Sequence, residues 1–138
     1  MAKLDSSGAL QWHTFVGGDN SDSGYDIAVD GDRSVYVVGY SMADWGEPVH
    51  PYSGGYDILV AKLSGTGVLR WHTFLGSGIG DEGLAVSLDA DWNITVAGES
   101  HATWGEPVNP YGDECCCDAA VARMETRIYS VYLPLASH

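Results

Sequence analysis

Four short runs rich in β-branched and aromatic residues follow one another through the middle of the chain: 27–30 (IAVD), 34–40 (SVYVVGY), 56–63 (YDILVAKL) and 68–75 (VLRWHTFL). They are bounded by Gly, Asp and Ser, which supply hairpin geometry, so the pattern predicts four antiparallel strands. Tight turns are expected at 31–33 and 64–67, and one long polar and aromatic loop at 41–55. No stretch sustains a helical period.

The pattern then repeats. AKLDSSGALQWHTFVGG from Ala2 returns as AKLSGTGVLRWHTFLGS from Ala61, an offset of 61 − 2 = 59. Trp12 falls on Trp71, His13 on His72, Phe15 on Phe74, Asp22 on Asp81, Gly24 on Gly83, Asp30 on Asp89 and Gly39 on Gly98. Trp45-Gly46-Glu47-Pro48-Val49 falls on Trp104-Gly105-Glu106-Pro107-Val108. From Ala2 to Tyr52, 25 of 51 positions are identical to their partners, which chance does not produce. Further on, Asp57 falls on Asp118, an offset of 118 − 57 = 61, so two residues have entered near the cysteines. Four antiparallel strands in a unit of about 60 residues make one β-propeller blade with a long loop.

These residues resemble the bacterial β-propeller repeat family SBBP, named for a seven-bladed β-propeller. Its repeats read approximately DAFVAKLD-GxLxWxTxLGG, followed by GxxIAVDxxGNVYVTGxT. The matching residues are 56–63, then Leu69, Trp71, Thr73 and Leu75-Gly76, and then Gly24 with Ile27-Ala28-Val29-Asp30 and 35–39. The resemblance covers residues 2 to 124. It departs from the family at the Gly-Asn before the second strand, which is Arg33-Ser34 here and Trp92-Asn93 in the next copy. Cys115-Cys116-Cys117 stands where the family has small residues. The resemblance implies a propeller scaffold in a surface or secreted protein and implies no reaction. The tail at 127–135 (RIYSVYLPL) resembles the YLPL-type ending of secreted proteins of some filamentous bacteria, and reads equally well as a last strand near 128–133.

The expected fold is therefore all-β: an incomplete propeller of about two and a half blades, each blade a four-stranded antiparallel sheet. Residues 1–24 form a half blade (its third and fourth strands), 25–83 a complete blade with the aromatic loop, and 84–138 the last blade and tail. Met1 aligns with Val60, inside a strand, so the chain is expected to be a fragment of a longer propeller or a protomer of an assembled one. Leu10, Phe15, Ile94 and Val96 are expected to face nothing within the chain. The partners this implies are further blades of the same protein or self-association through open blade faces.

Charge narrows the partners further. Lys plus Arg total 6 and Asp plus Glu 19, a formal net charge of −13. An affinity for nucleic acid or an anionic membrane surface needs a basic face, so neither is expected. No apolar run approaches the roughly 18–20 residues of a membrane span, and residues 1–5 (MAKLD) do not read as a signal peptide. The location expected of the full-length protein, extracellular or at the cell surface, rests on the resemblance.

The candidate ligand-binding residues lie in the repeated loop WGEPVxPY: Trp45, Glu47 and Tyr52, and again Trp104, Glu106 and Tyr111. A Trp and a Tyr beside a carboxylate suit stacking on sugar rings, so a polysaccharide or protein ligand is one reading. The preferred alternative is that the rings pack over the blade edge while the prolines stiffen the loop. Residues 30–34 (DGDRS) and 89–93 (DADWN) have the look of a calcium loop but lack its later ligands and its glycine, which favours turns capped by Asp and Asn. Asp22 and Asp81 are expected to hold turn amides. His13 and His72 are expected at a surface or edge. Three adjacent thiols, Cys115 to Cys117, cannot surround one ion without help from elsewhere, and a drifted loop is preferred. No GxSxG, HExxH or P-loop motif occurs. The expectation is a non-catalytic repeat module with no catalytic residue, metal or cofactor. The alternative is a fragment of a glycan-active propeller enzyme whose active centre lies outside this chain.

Overall fold

A computed structural model describes residues 1–112 and 116–126. The strand expected near 128–133 and Cys115 lie outside the described residues. Nine strands are present among the described residues. They are β1 (Ala2–Leu4), β2 (Leu10–His13), β3 (Asp22–Val29), β4 (Val35–Ser41), β5 (Asp57–Leu63), β6 (Leu69–Leu75), β7 (Asp81–Leu88), β8 (Ile94–Ser100) and β9 (Asp118–Met124). They form three open antiparallel sheets in the orders β1-β2, β3-β4-β5-β6 and β7-β8-β9. The fold is all-β, and the sheets are partial propeller blades.

The first strand of each blade starts five residues earlier than the apolar run at 27–30 suggested, because a bulge at Tyr25 separates two paired segments of β3. Polar Asp22 and Ser23 pair with Ser41 and Tyr40 before the apolar residues begin. The bulge recurs at Leu84 in β7. Next to it Gly39 approaches β3 so closely that a Cβ would collide with the Ser23 carbonyl oxygen; Gly98 stands in the same relation to Glu82.

The two hairpin turns ahead of the second strands are built alike. Asp30 Oδ1 accepts hydrogen bonds from the Asp32 and Ser34 amides, each at 2.9 Å. Asp89 Oδ1 does the same for Asp91 and Asn93. The carboxylate holds the turn in the way Asp favours, and a cation from the third strand meets it: Lys62 lies 3.7 Å from Asp30, Arg123 2.9 Å from Asp89.

Strand alternation gives the central sheet two apolar faces. Tyr36, Val38, Ile58 and Val60 point one way and meet Ile94 and Val96 of β8, with Trp71, Leu75, Val86, Leu88 and Met124 at the margin. Val35, Val37 and Leu63 point the other way, toward Met1 and Val16. Burial on both sides explains why β4 and β5 read as nearly continuous apolar runs. Gly83 lets β7 lie close against this sheet, since a Cβ there would sit 2.5 Å from Val38. Val86 N–H also donates to Asp26 Oδ2 across the sheets at 2.8 Å.

The expectation about unpartnered residues divides. Leu10 and Phe15 are exposed, Phe15 by 90%. Ile94 and Val96, expected to be bare, are 0% and 1% exposed. The last blade turns its inner face onto the central sheet, so its open surface is the opposite one, where Val121 stands exposed.

Candidate functional site

The long loop after β4 turns back and closes over β6, the outer strand of its own sheet. The Trp45 ring lies flat on His72, with centroids 3.7 Å apart and planes 5° apart. Its indole N–H donates to Ser41 Oγ at 3.3 Å. His72 Nε2 lies 2.8 Å from the Trp45 carbonyl oxygen. That carbonyl can only accept, so the proton of a neutral His72 sits on Nε2. Gly46 makes the bend with φ 58°.

Beyond Pro48 the loop pairs with the strand itself. Val49 N–H donates to the His72 carbonyl at 2.9 Å, and Phe74 N–H donates to the His50 carbonyl at 3.3 Å. His50 N–H donates to the Thr73 hydroxyl oxygen at 3.1 Å. Tyr52 meets Phe74 edge-on at 5.8 Å, and its hydroxyl donates to the Gly55 carbonyl. The loop thereby satisfies backbone groups along an outer edge that would otherwise be a template for further pairing. Glu47 remains exposed on its outer side. We call this arrangement of WGEPVxPY over WHTF the clasp.

His72 corrects one sequence expectation. It is buried, 3% exposed, because the loop covers it. His13, its repeat partner, is exposed as expected. Among the described residues no counterpart of the 45–52 loop covers β2; its Trp12 donates to the Gly65 carbonyl at 3.1 Å, and His13 meets the neighbouring Phe15 edge-on at 6.0 Å. In the second loop Trp104 donates to Ser100 Oγ at 3.1 Å and Gly105 has φ 58°, so its bend repeats the first. Tyr111 donates to the Cys116 carbonyl at 2.7 Å. Glu106 is exposed, and Val108, the counterpart of Val49, is fully exposed. The six candidate residues therefore form two separate groups, one per loop, and Trp45 and Tyr52 are both engaged in the packing of their own blade.

The acids serve the backbone. Asp22 Oδ2 accepts the Gly18 amide at 2.9 Å, and Asp81 Oδ2 accepts the Ser77 amide at 2.6 Å. Asp81 also receives the Ser100 hydroxyl. Asp57 is buried against it and accepts the Ser53 amide and hydroxyl. Burial raises the Asp57 pKa, the Asp81 charge adds to that, and the Ser53 hydrogen bonds oppose it. The two DxD turns border a cleft of about 330 Å³ lined by Asp30, Asp32, Tyr36, Lys62, Asp91 and Trp92. Both oxygens of Asp30 are already used, one by turn amides and the other by the Tyr36 hydroxyl at 3.0 Å.

A third group went unnoticed in the sequence because its members are far apart in it. Glu99, His101 and Cys117 come together where β8 ends and β9 begins. Cys117 hydrogen-bonds the Glu99 carboxylate at 3.5 Å, and this contact raises the thiol pKa.

Residues 11–44 match the model of the SBBP family, a beta-propeller repeat. No curated protein matches the chain. The matched segment runs from β2 to the start of the first long loop, and the internal repeat carries the same pattern onward from Arg70. Over this segment the chain is similar to a β-propeller repeat.

Proposed function

We propose that this chain is a non-catalytic scaffold module of an extracytoplasmic bacterial protein, and that its blades join others through the clasp. The occupant we assign to the open clasp positions is a second copy of the chain. One observation carries the reading. Two segments read WHTF and two loops read WGEPVxPY, and among the described residues one of each is joined in a clasp. The remaining strand shows Phe15 to solvent and the remaining loop shows Val108. The two carry the sequences that meet in the closed clasp. Such a contact joins different surfaces, head to tail, and so builds rings or chains of copies. The non-catalytic reading is supported by the repeated acids, which hold turn amides in both blades. The extracytoplasmic setting is supported by the family resemblance.

Mixing two variants tests this. Phe15→Ser spoils the strand half and keeps the loop; Trp104→Ala spoils the loop half and keeps the strand. Sedimentation should show the native chain associating, each variant alone as a folded monomer, and the mixture as a one-to-one dimer that grows no further. A native chain that stays monomeric at high concentration, or variants that associate like the native chain, would overturn the reading.

A further inference from the structure

We propose that Glu99, His101 and Cys117 bind a transition-metal ion of borderline softness, with Zn²⁺ the first candidate. The site lies in the last blade, at the base of its WGEPVxPY loop.

The internal repeat provides the first reason. Glu99 and His101 correspond to Tyr40 and Met42 at the offset of 59, and Cys117 corresponds to Tyr56 at the offset of 61. In the central blade these places hold a ring pair, Tyr40 and Tyr56, with centroids 5.7 Å apart. In the last blade all three places have changed, and each has gained a metal-ligating group: a carboxylate, an imidazole and a thiol. Drift of a loop explains extra cysteines. It does not explain a glutamate and a histidine at the end of the adjoining strand that lie beside one of those cysteines.

Register provides the second reason. Ser100 pairs with Asp118 at the last rung of β8 and β9. Continuing that antiparallel register by one residue sets His101 opposite Cys117. Glu99 lies two residues before His101, on the same side of the chain. The three donor atoms all fall within 4.8 Å of one another. Cys117 Sγ and Glu99 Oε2 are 3.5 Å apart. A tetrahedral ion with bonds of about 2.3 Å to sulfur and about 2.0 Å to oxygen spaces those two atoms by about 3.5 Å. The imidazole has to close by about 1 Å more to complete the set, within the reach of a half-buried side chain.

The third reason is the orientation of the histidine. His101 Nδ1 lies 2.9 Å from the Gly80 carbonyl. A carbonyl at Nδ1 puts the proton there and leaves the Nε2 lone pair for a metal, the usual outer-sphere support of a metal-bound imidazole. Glu82 pairs directly with Glu99 across β7 and β8. Two carboxylates opposite each other repel, and a dication beside them offsets that repulsion. One N, one O and one S ligand at a partly open surface leave the fourth position to water. The Cys117 thiol gives up its proton to solvent as the metal–sulfur bond forms, so affinity falls as pH is lowered.

Cobalt reports directly on a thiolate ligand. Co²⁺ titrated into the reduced, metal-free full chain should raise a sulfur-to-metal charge-transfer band in the near-ultraviolet together with the visible bands of a tetrahedral ion. Zn²⁺ should abolish both. Cys117→Ser should remove the charge-transfer band. Glu99→Gln and His101→Ala should each weaken binding about tenfold or more, in the range by which site residues tune metal affinity, while Cys116→Ser should leave the spectrum in place. A native chain with no band, or a band that survives Cys117→Ser, would overturn the assignment. So would Glu99→Gln and His101→Ala variants that bind as the native chain does.

Discussion

Arg33 holds a backbone conformation that an L-residue adopts at a cost, with φ at 66°; Trp92, its repeat partner, has φ 64°. The SBBP pattern places glycine at this position, so the departure visible in the sequence falls on a left-handed residue of the turn. The residue type was legible, but the strain was not, because a turn of Asp-Gly-Asp-Arg-Ser does not announce which member bends left. The left-handed conformation costs an L-residue about 1–2 kcal/mol. Glycine returns about 0.5–1 kcal/mol of that through the freedom of its unfolded chain. Arg33→Gly is therefore expected to stabilise the protein by about 0.5–1 kcal/mol, a rise of a few degrees in Tm by calorimetry. Trp92→Gly should give no such gain. The Trp92 ring packs over the neighbouring turn, where a Cβ on Gly31 would come within 2.9 Å of it, and this packing is lost with the side chain.

At the scale of elements, the order of strands was readable from alternation, and the return of the loop was not. Alternation records which side of a strand is buried, and β6 shows its Trp, His, Thr and Phe on both sides. Nothing in that pattern says that residues 45–52 fold back along the strand's free edge, so His72 looked like an edge residue. The repeat of WGEPVxPY marked the loop as important without naming its target. The same limit hid Glu99 and His101: they are 16 residues or more before Cys117, and only the β8–β9 register unites them. The available signal was their joint departure from Tyr40, Met42 and Tyr56. The clasp itself makes a sharp comparison possible, because identical WHTF sequences sit in opposite environments. Phe74 is 2% exposed beneath the loop, whereas Phe15 is 90% exposed. Phe74→Ala should cost about 3–5 kcal/mol, as for a buried aromatic. In dilute protein, where the chain is monomeric, Phe15→Ala should change stability by no more than about 0.5 kcal/mol. Urea denaturation of the two variants side by side measures the difference, and equal losses would mean that the loop does not cover β6.

Across the whole molecule, the balance lies between apolar edges that favour contact and a net charge that opposes it. Leu4, Leu10, Phe15 and Val121 are exposed large apolar residues on the first and last sheets, while the central sheet is covered on both faces. Each such side chain gains about 1.5–3 kcal/mol when fully buried, so a few of them at one interface provide a real driving force. Against this, two copies each carrying −13 repel at every distance shorter than the screening length. That length is about 10 Å at 0.1 M salt and about 3 Å at 1 M. The closed clasp is made of stacked rings, backbone hydrogen bonds and a hydroxyl, with no ion pair across it. Salt therefore weakens the repulsion without weakening the attraction. Association of the native chain is expected to strengthen as sodium chloride is raised from low to moderate concentration, seen as a growing weight-average mass in light scattering at constant protein concentration. The Phe15→Ser and Trp104→Ala variants, which have the same net charge, should show little growth over the same range. Dissociation of the native chain by salt would instead mean that opposite charges hold the copies together, and the clasp would not be their contact.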